Sequence, residues 1–291
     1  MGETHTISDG DIVATIKADG AELCSLKTAD GLELLWQAGP AWPRHAPWLF
    51  PIVGRLNNDE LRHRGQSYRL TQHGFARDLR FQWLERTTEG CALVLTDSAA
   101  TRPRYPFAFR LTIRYRIDSN RLELAAEITN TGDEVLPASF GAHPAFNWPI
   151  GPGTSKADHF VIFTEAEPAP VRRLSGGLMR AEGEPSPVEG TMLTLCERLF
   201  DDDAIIFDTL SSSAVAYIGS GPGLDITWSG FRQLGIWSKP GGAPFLCIEP
   251  WRGFASPVDF DGEFSDKPGL MHIAPGATER LIFSIKVHTV L

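Results

Sequence analysis

A regular alternation of apolar and polar residues in the middle of the chain constrains the fold more than any other feature. In the segment 109–117, FRLTIRYRI, every second residue from Phe109 is apolar, and arginine or threonine stands between them. After a short Asp-Ser-Asn turn, the segment 122–129 alternates in the same way, with glutamates on its polar side. A period of two is typical of a strand with one buried and one exposed face. The pattern predicts an antiparallel hairpin, with arginine and glutamate attracting each other across the exposed face.

Short apolar segments bounded by Gly, Pro, Ser or Asp continue along the chain. Near the start, IVATIK, AELCSL and LELLW are separated by two Ala-Asp-Gly turns, in which glycine supplies the positive φ of a tight reversal. Further segments of this kind are CALVLTD, HFVIFT, AIIFD, AVAYIG, LDITW, QLGIWS, FLCIE and LIFSIKVH. No segment has a sustained helical period, apart from one or two turns between Thr194 and Leu199. Many short strands predict an all-β sandwich or barrel, and since no linker divides the chain we expect a single antiparallel domain over residues 1–291.

Charge and hydropathy exclude several classes of partner. The formal net charge is −9 and the basic residues are scattered, so we expect neither nucleic acid nor an anionic membrane as partner. No apolar run approaches the roughly 20 residues of a membrane-spanning helix, and MGETHTISDG lacks the regions of a signal peptide. The cysteines are far apart and stand beside apolar residues, which favours buried thiols in a reducing cytoplasm over disulfides or a zinc site. They are Cys24, Cys91, Cys196 and Cys247.

Five segments place polar residues among apolar, proline or glycine residues. They are LFPIVGRLNND with Arg55, LTQHGFARD with His73, GAHPAFNWP with His143, LFDDDAIIFD with Asp203 and FLCIEPWRG with Glu249. A carboxylate at Glu249, directly after an apolar strand, loses hydration at a cost of roughly 1.36 kcal/mol for each unit that its pKa rises. Such a group is kept either for a salt bridge, here with Arg252 or Arg55, or for catalysis. Since metal-binding, P-loop, nucleophile-elbow and dinucleotide motifs are absent, we expect no metal and no cofactor.

In this order, the five segments resemble the motifs of the aldose 1-epimerase (galactose mutarotase) family, and more closely those of its shorter, LacX-like branch. VGRLNND resembles the arginine loop, QHGFAR and GAHPAFNWP the two histidine motifs, FDDDAIIF the segment of a substrate-binding aspartate, and CIEPWRG the segment of the catalytic glutamate. The resemblance covers essentially the whole chain. It implies the family's fold, a large antiparallel β-sandwich of the galactose mutarotase-like supersandwich type.

The resemblance also implies a cofactor-independent isomerase, an aldose 1-epimerase that acts on a small-molecule sugar. Glu249 would be the general base for the anomeric hydroxyl, and His143 the general acid for the ring oxygen. His73, Arg55 and Asp203 would bind the substrate. An imidazole with an ordinary pKa near 6.5 suits proton transfer at neutral pH.

Two other functions are compatible with the same residues. A hexose-6-phosphate mutarotase would use the same chemistry, with phosphate held by basic residues near the proposed loops: Arg44, Arg62, Arg64, Arg77, His45 and His63. A non-catalytic sugar-binding or sensing domain would keep the aromatic residues and Arg55 without needing the Glu/His pair. The preferred sugar and the oligomeric state stay open.

Overall fold

The computed structural model describes residues 2–288 as antiparallel strands joined by turns, with five short 3₁₀ turns at Asn57–Asp59, Ala76–Asp78, Lys156–Asp158, Glu197–Phe200 and Phe264–Asp266. The strands are β1 (Thr4–Ser8), β2 (Ile12–Lys17), β3 (Leu23–Thr28), β4 (Trp48–Leu49), β5 (Glu60–His63), β6 (Gln66–Arg69), β7 (Gln82–Arg86), β8 (Gly90–Thr96), β9 (Phe109–Asp118), β10 (Arg121–Asn130), β11 (Leu136–Ala138), β12 (Phe140–Ala142), β13 (Ala145–Asn147), β14 (Phe160–Phe163), β15 (Leu174–Ser175), β16 (Leu178–Met179), β17 (Met192–Thr194), β18 (Ile205–Phe207), β19 (Ala214–Ile218), β20 (Gly223–Ser229), β21 (Gln233–Trp237), β22 (Phe245–Arg252), β23 (Met271–Ile273) and β24 (Thr278–His288). Within residues 2–288, no helix is long and apolar enough to cross a membrane.

Two large sheets pack against each other and enclose the main core. One has nine strands in the order β17-β14-β19-β20-β24-β10-β9-β8-β7; the other has the order β18-β21-β22-β12-β4, with β13 also paired to β22. Side chains join the two sheets: the Trp48 indole N–H donates to the Tyr115 hydroxyl at 2.9 Å, and the rings of Phe163 and Phe207 lie 5.2 Å apart. Smaller sheets, β1-β2-β3, β5-β6, β11-β23 and β15-β16, complete the fold. The predicted all-β antiparallel sandwich is therefore confirmed.

The central hairpin forms as its alternation predicts. Strands β9 and β10 pair over their full length, and Glu123 stands directly opposite Arg116 on the polar face. The reversal is made by Ser119 and Asn120, both with positive φ, at 53° and 59°. The apolar residues of both strands are buried because this face of the nine-stranded sheet lies against the core.

The predicted strand at LELLW does not form, because its residues hydrogen-bond to several different segments instead of to one partner strand. Only isolated bridges join Glu33 to Lys27 and Leu35 to Phe146. The Glu33 carboxylate accepts the backbone N–H of Leu26 at 2.9 Å and of Leu35 at 3.1 Å, which takes the place of ladder hydrogen bonds. The one or two helical turns expected between Thr194 and Leu199 are found as a single 3₁₀ turn at Glu197–Phe200.

The expectation of four buried thiols is only partly correct. All four cysteines are free; Cys91 and Cys247 are buried, Cys24 is half-buried and Cys196 is exposed. Cys196 directly precedes the 3₁₀ turn, outside both sheets, so that no neighbouring strand covers its side chain.

The six-stranded sheet carries different side chains on its two faces. On β22, Leu246 and Ile248 point into the main core, while Cys247, Glu249 and Trp251 lie on the opposite face. A strand that is buried on both faces has no simple alternation, which explains why FLCIE reads as a continuous apolar run.

Two glycines make room on this second face for the indole of Trp251. A Cβ atom added to Gly235, on β21, would lie 2.4 Å from the Trp251 ring, and one added to Gly141, on β12, would lie 2.7 Å from it. Real atoms do not approach so closely, so any side chain here would displace the indole. The two glycines therefore determine where this ring lies.

We expect Gly235→Ala to lower the free energy of unfolding by about 1–3 kcal/mol, because the new methyl group overlaps the Trp251 ring. The matched control is Gly223→Ala on β20, where the nearest atom would lie at 3.4 Å, an ordinary contact distance. Urea denaturation of both variants checks this. Equal stability of the two variants would contradict the close packing described here.

Candidate active site

The pairing register of β22 brings Glu249 and His143 together. Gly141 pairs with Trp251 and Ala145 pairs with Cys247, so the same register over the residues between them places His143 opposite Glu249. Opposed residues of antiparallel strands have their side chains on the same face. The Nε2 atom of His143 lies 3.3 Å from Oε2 of Glu249, and both side chains are buried. The two residues predicted to be catalytic are thus neighbours in space.

A cavity of about 260 Å³ opens above this pair. The ring of Trp42 stacks on His143, with centroids 4.8 Å apart and an interplanar angle of 25°, and Trp237 meets the same imidazole edge-on at 5.9 Å. The other side chains of the wall are Val53, Gln72, His73, Arg77, Leu174, Asp203, Ala204, Ile206, Trp251 and Ala255. This mixture of aromatic surface and a few polar groups is typical of a small-molecule site.

Three polar atoms at the floor of the cavity have no hydrogen-bond partner among the described residues. They are Nδ1 of His143, Oε2 of Glu249 and Nε1 of Trp251. A buried polar atom without a partner costs roughly 1–3 kcal/mol, so proteins rarely keep several together in a purely structural role. Their grouping favours a site that binds a polar ligand.

His73 is held in a single orientation by the neighbouring loop. Its φ is 66°, in the left-handed region, and its backbone N–H donates to the Gly54 carbonyl at 2.8 Å. Its Nδ1 accepts the Gly54 N–H at 3.1 Å. A neutral imidazole that accepts at Nδ1 must carry its proton on Nε2. His73 therefore carries an Nε2–H donor at the cavity wall, 3.3 Å from the terminal amide of Gln72, which must turn its oxygen towards this proton. The ring of His73 lies 5.7 Å from that of His143.

Of the other two residues predicted to bind substrate, Asp203 lines the cavity and Arg55 does not. Asp203 lies at the rim with a φ of 64°, and its Oδ1 accepts the N–H of Ala204 at 2.9 Å. The guanidinium of Arg55 is instead paired with Asp59, with Nε 2.7 Å from Oδ1, and also donates to the Gly176 carbonyl at 3.4 Å. The carboxylate four residues along the chain holds Arg55 away from the cavity.

The cavity wall contains residues that sequence reasoning did not assign to a sugar site. Arg77, which was considered only as a phosphate ligand, donates to the Gln72 carbonyl at 2.8 Å. The tryptophans were missed as individual residues. Trp251 could have been predicted from its spacing, since it stands two residues after Glu249 and hence on the same face of one strand. Trp42 and Trp237 come from segments without a polar motif.

Burial changes the pKa values of the central pair in opposite directions. Loss of hydration raises the pKa of Glu249 well above its ordinary value of 4.5, with a smaller contribution from the charge of Asp203, while the Trp251 side chain opposes the rise. Burial lowers the pKa of His143 to about 3, and the charges of Arg77 and Arg44 add to this effect. The pKa of His73 is also well below its ordinary value, because of burial and then Arg77.

These opposite shifts favour a state in which Glu249 and His143 together hold one proton. Desolvation favours the uncharged arrangement, in which the proton is on the carboxyl group. The alternative, a carboxylate beside an imidazolium, has the same proton count and becomes accessible when a ligand supplies hydrogen bonds to the charged forms. At a separation of 3.3 Å the pair can thus give one proton and take another without exchange with solvent.

The raised pKa of Glu249 predicts how stability depends on pH. Above pH 4.5 the unfolded chain releases this proton while the native protein keeps it, so the contribution of Glu249 itself to stability falls as pH rises. Glu249→Gln lacks this loss. We expect the free energy of unfolding of this variant, relative to that of the wild type, to rise with pH above 4.5, by up to about 1.4 kcal/mol for each pH unit until the pKa of Glu249 in the native protein is reached. Chemical denaturation at several pH values measures the difference; a difference independent of pH contradicts the assigned shift.

The lowered pKa of His143 acts at the other end of the range. The contribution of His143 to the stability of the native protein is complete above pH 6.5. It is lost as pH falls towards 3, since the unfolded chain then takes up a proton that the native protein does not. Between pH 4.5 and pH 6.5 the contributions of Glu249 and His143 to the free energy of unfolding change with pH in opposite directions and cancel.

Sequence comparison supports the resemblance found in the motifs. The family model for aldose 1-epimerase matches residues 3–270. Protein LacX of Lactococcus lactis subsp. lactis is 31% identical over 288 residues, which cover 95% of this chain and 96% of that protein.

Two solved structures share the fold along nearly the whole chain. A galactose mutarotase related enzyme from Lactobacillus acidophilus has 34% identity and a TM-score of 0.91, with 99% of this chain and 98% of that chain covered. A galactose mutarotase-like protein from Lactobacillus casei has 28% identity and a TM-score of 0.91, with 98% and 100% covered. The predicted galactose mutarotase-like fold is therefore confirmed, and the chain belongs to the aldose 1-epimerase family.

Proposed function

We propose that the protein is a cofactor-independent aldose 1-epimerase, which interconverts the α and β anomers of an aldose. The observation that carries this proposal is the 3.3 Å separation of His143 and Glu249 at the floor of a cavity. The anomeric hydroxyl and the ring oxygen of a pyranose are bonded to the same carbon. An acid and a base that act on both atoms must therefore lie close together, as these two do.

Ring opening needs only the groups of this pair. Glu249 takes the proton of the anomeric hydroxyl, His143 gives a proton to the ring oxygen, and the bond between C1 and the ring oxygen breaks. The pair holds one proton before and after the step, because the proton lost by the imidazole is matched by the one gained by the carboxylate. Rotation about C1–C2 and the reverse transfers then close the ring as the other anomer.

The rest of the cavity orients the sugar. The Nε2–H of His73 donates to a sugar oxygen beside His143, and the Asp203 carboxylate accepts from hydroxyl groups at the rim. The faces of Trp42, Trp237 and Trp251 suit the C–H faces of a pyranose. Arg55 contributes to sugar binding only if its guanidinium leaves Asp59, whereas Arg77 is already at the wall.

We expect Glu249→Gln and His143→Asn each to slow the enzymatic interconversion by roughly 10²- to 10⁴-fold, the usual contribution of a placed acid or base. The measurement is polarimetry or anomer-resolved NMR on freshly dissolved α-glucose, α-galactose and other aldoses. The double variant should lose less than the product of the two effects, because the residues act as a unit.

The matched control for the carboxylate is Glu167→Gln. Glu167 is also buried, but it accepts the backbone N–H groups of Ser211 and Ser212 and does not line the cavity. We expect this variant to keep the wild-type rate. Unchanged rates in folded Glu249 and His143 variants would falsify the proposed mechanism. Sugar binding by a wild type that does not accelerate interconversion would support the sensing function instead.

A hexose-6-phosphate mutarotase remains the second candidate, and Arg77 is the observation in its favour. Its Nε is buried without a hydrogen-bond partner among the described residues and lies 3.9 Å from the Asp78 carboxylate, and burial beside Arg44 lowers its pKa to about 10. The other basic candidates are engaged elsewhere: Arg44 with Asp78, Arg62 with Glu60 and Asp261, His63 and Arg64 with Glu134, and His45 near Glu22. None of these five lines the cavity.

Inorganic phosphate separates the two candidate substrates. For a phosphosugar enzyme, phosphate inhibits competitively, and Arg77→Gln raises the KM for a hexose 6-phosphate at least about tenfold, since a charge-assisted hydrogen bond is lost. For an enzyme of unmodified aldoses, phosphate has no effect at millimolar concentration. Arg64→Gln, an exposed arginine away from the cavity, is the control and should change neither measurement.

A further inference from the structure

Next to the floor of the cavity lies a third group that the proposed sugar chemistry does not use, the fully buried thiol of Cys247, which does not itself line the cavity. Cys247 precedes Glu249 by two residues on β22, so both side chains lie on the same face of the strand. Metal-ligating atoms of His143, Cys247 and Glu249 all lie within 4.8 Å of one another, and all three residues are buried. The small residue Ala145 stands opposite Cys247 in the pairing, and both belong to one buried cluster with Ala243 and Phe245.

Imidazole, thiolate and carboxylate are together a ligand set for zinc and similar cations. Such sites are tetrahedral, with bonds of about 2.0–2.3 Å, which place the ligand atoms some 3.3–3.7 Å apart. The 3.3 Å between His143 and Glu249 already fits this spacing. The upper limit of 4.8 Å on the separations among the three ligand atoms exceeds this spacing by about 1 Å, so small side-chain rotations bring them to metal-binding distances.

Two further observations favour a cation at this place. Oε2 of Glu249 is buried and accepts no hydrogen bond from the described residues, so an acceptor is free. Binding of a divalent cation releases the proton of the Glu249 carboxyl group and that of the Cys247 thiol, and the carboxylate and thiolate that result balance its two charges. The resulting neutral complex suits the apolar surroundings formed by Trp42, Trp237 and Phe245.

We propose that His143, Cys247 and Glu249 bind a divalent cation of the zinc type, with its fourth coordination position open to the cavity. Hard cations such as Mg²⁺ are excluded by the thiolate and by the small number of oxygen ligands. The cation occupies the same carboxylate and imidazole that the proposed mutarotase reaction needs, so metal and sugar bind in competition. Metal binding itself does not depend on that proposed function.

Titration with Co²⁺ tests the site directly, because a cobalt–thiolate bond gives a charge-transfer absorption that oxygen and nitrogen ligands do not. The work uses the full chain carrying Cys196→Ala, since Cys196 is an exposed competing thiol. We expect this protein to develop the absorption, and Zn²⁺ to displace Co²⁺ and raise the Tm. Mg²⁺ should do neither.

Adding Cys247→Ala should abolish the absorption and raise the Kd for Zn²⁺ at least about tenfold, as expected when one ligand of a metal site is lost. Glu249→Gln, which keeps the size of the side chain, should weaken Zn²⁺ binding similarly, and circular dichroism confirms that both variants fold. The proposal is overturned if the absorption never appears, or if it persists without Cys247.

Inhibition then relates the site to the reaction. Zn²⁺ should slow interconversion by the Cys196→Ala protein, and a chelator should restore the rate; the variant lacking Cys247 should require at least about tenfold more Zn²⁺, measured against its own metal-free rate. If no sugar is interconverted by any form of the protein, the proposed function fails while the absorption and Tm results still decide the metal site.

Discussion

The register between β22 and the segment 140–147 is the constraint on which the rest of the structure depends. It places Cys247, Glu249 and Trp251 on the cavity face while Leu246 and Ile248 enter the core. A slip of one residue would exchange the two sets, bury the carboxylate among aliphatic side chains and expose the apolar ones. The hydrophobic energy that stabilises the sandwich therefore also maintains the geometry of the site, and no separate interaction is needed to align acid with base.

The same burial determines the chemistry of the pair. Because both side chains lose hydration, the pKa of Glu249 rises and that of His143 falls, which by itself favours an uncharged carboxyl and imidazole. In the proposed reaction the base gains one proton and the acid loses one. The pair therefore only changes between the carboxylate–imidazolium arrangement and the uncharged carboxyl–imidazole arrangement, which hold the same number of protons. The site is thus well suited to a cycle that ends with the same proton count, as anomer interconversion does. A divalent cation would displace that proton and hold both groups in their basic forms, which is why sugar and metal compete.

Small residues determine the shape of the cavity as much as large ones do. Gly141 and Gly235 admit the indole of Trp251, and the small residue Ala145 pairs with Cys247. On the opposite wall, the loops of Gly54 and His73 bond to each other and orient the imidazole. The polar groups of the site are consequently positioned by the sheet on one side and by two loops that hydrogen-bond to each other on the other.

The sequence by itself determined the all-β class, the central hairpin and the segments of four cavity residues, His73, His143, Asp203 and Glu249. Strand periodicity and turn residues are local properties, and the motifs are contiguous, so both can be recognised without knowing which strands are neighbours. Only the tertiary structure decided that LELLW forms isolated bridges, that Asp59 holds Arg55 outside the cavity, and that Arg77 and three tryptophans line it. It also decided that Cys247 joins His143 and Glu249. These arrangements depend on pairing between distant strands and on competition for each charged group, which are settled only when the chain packs.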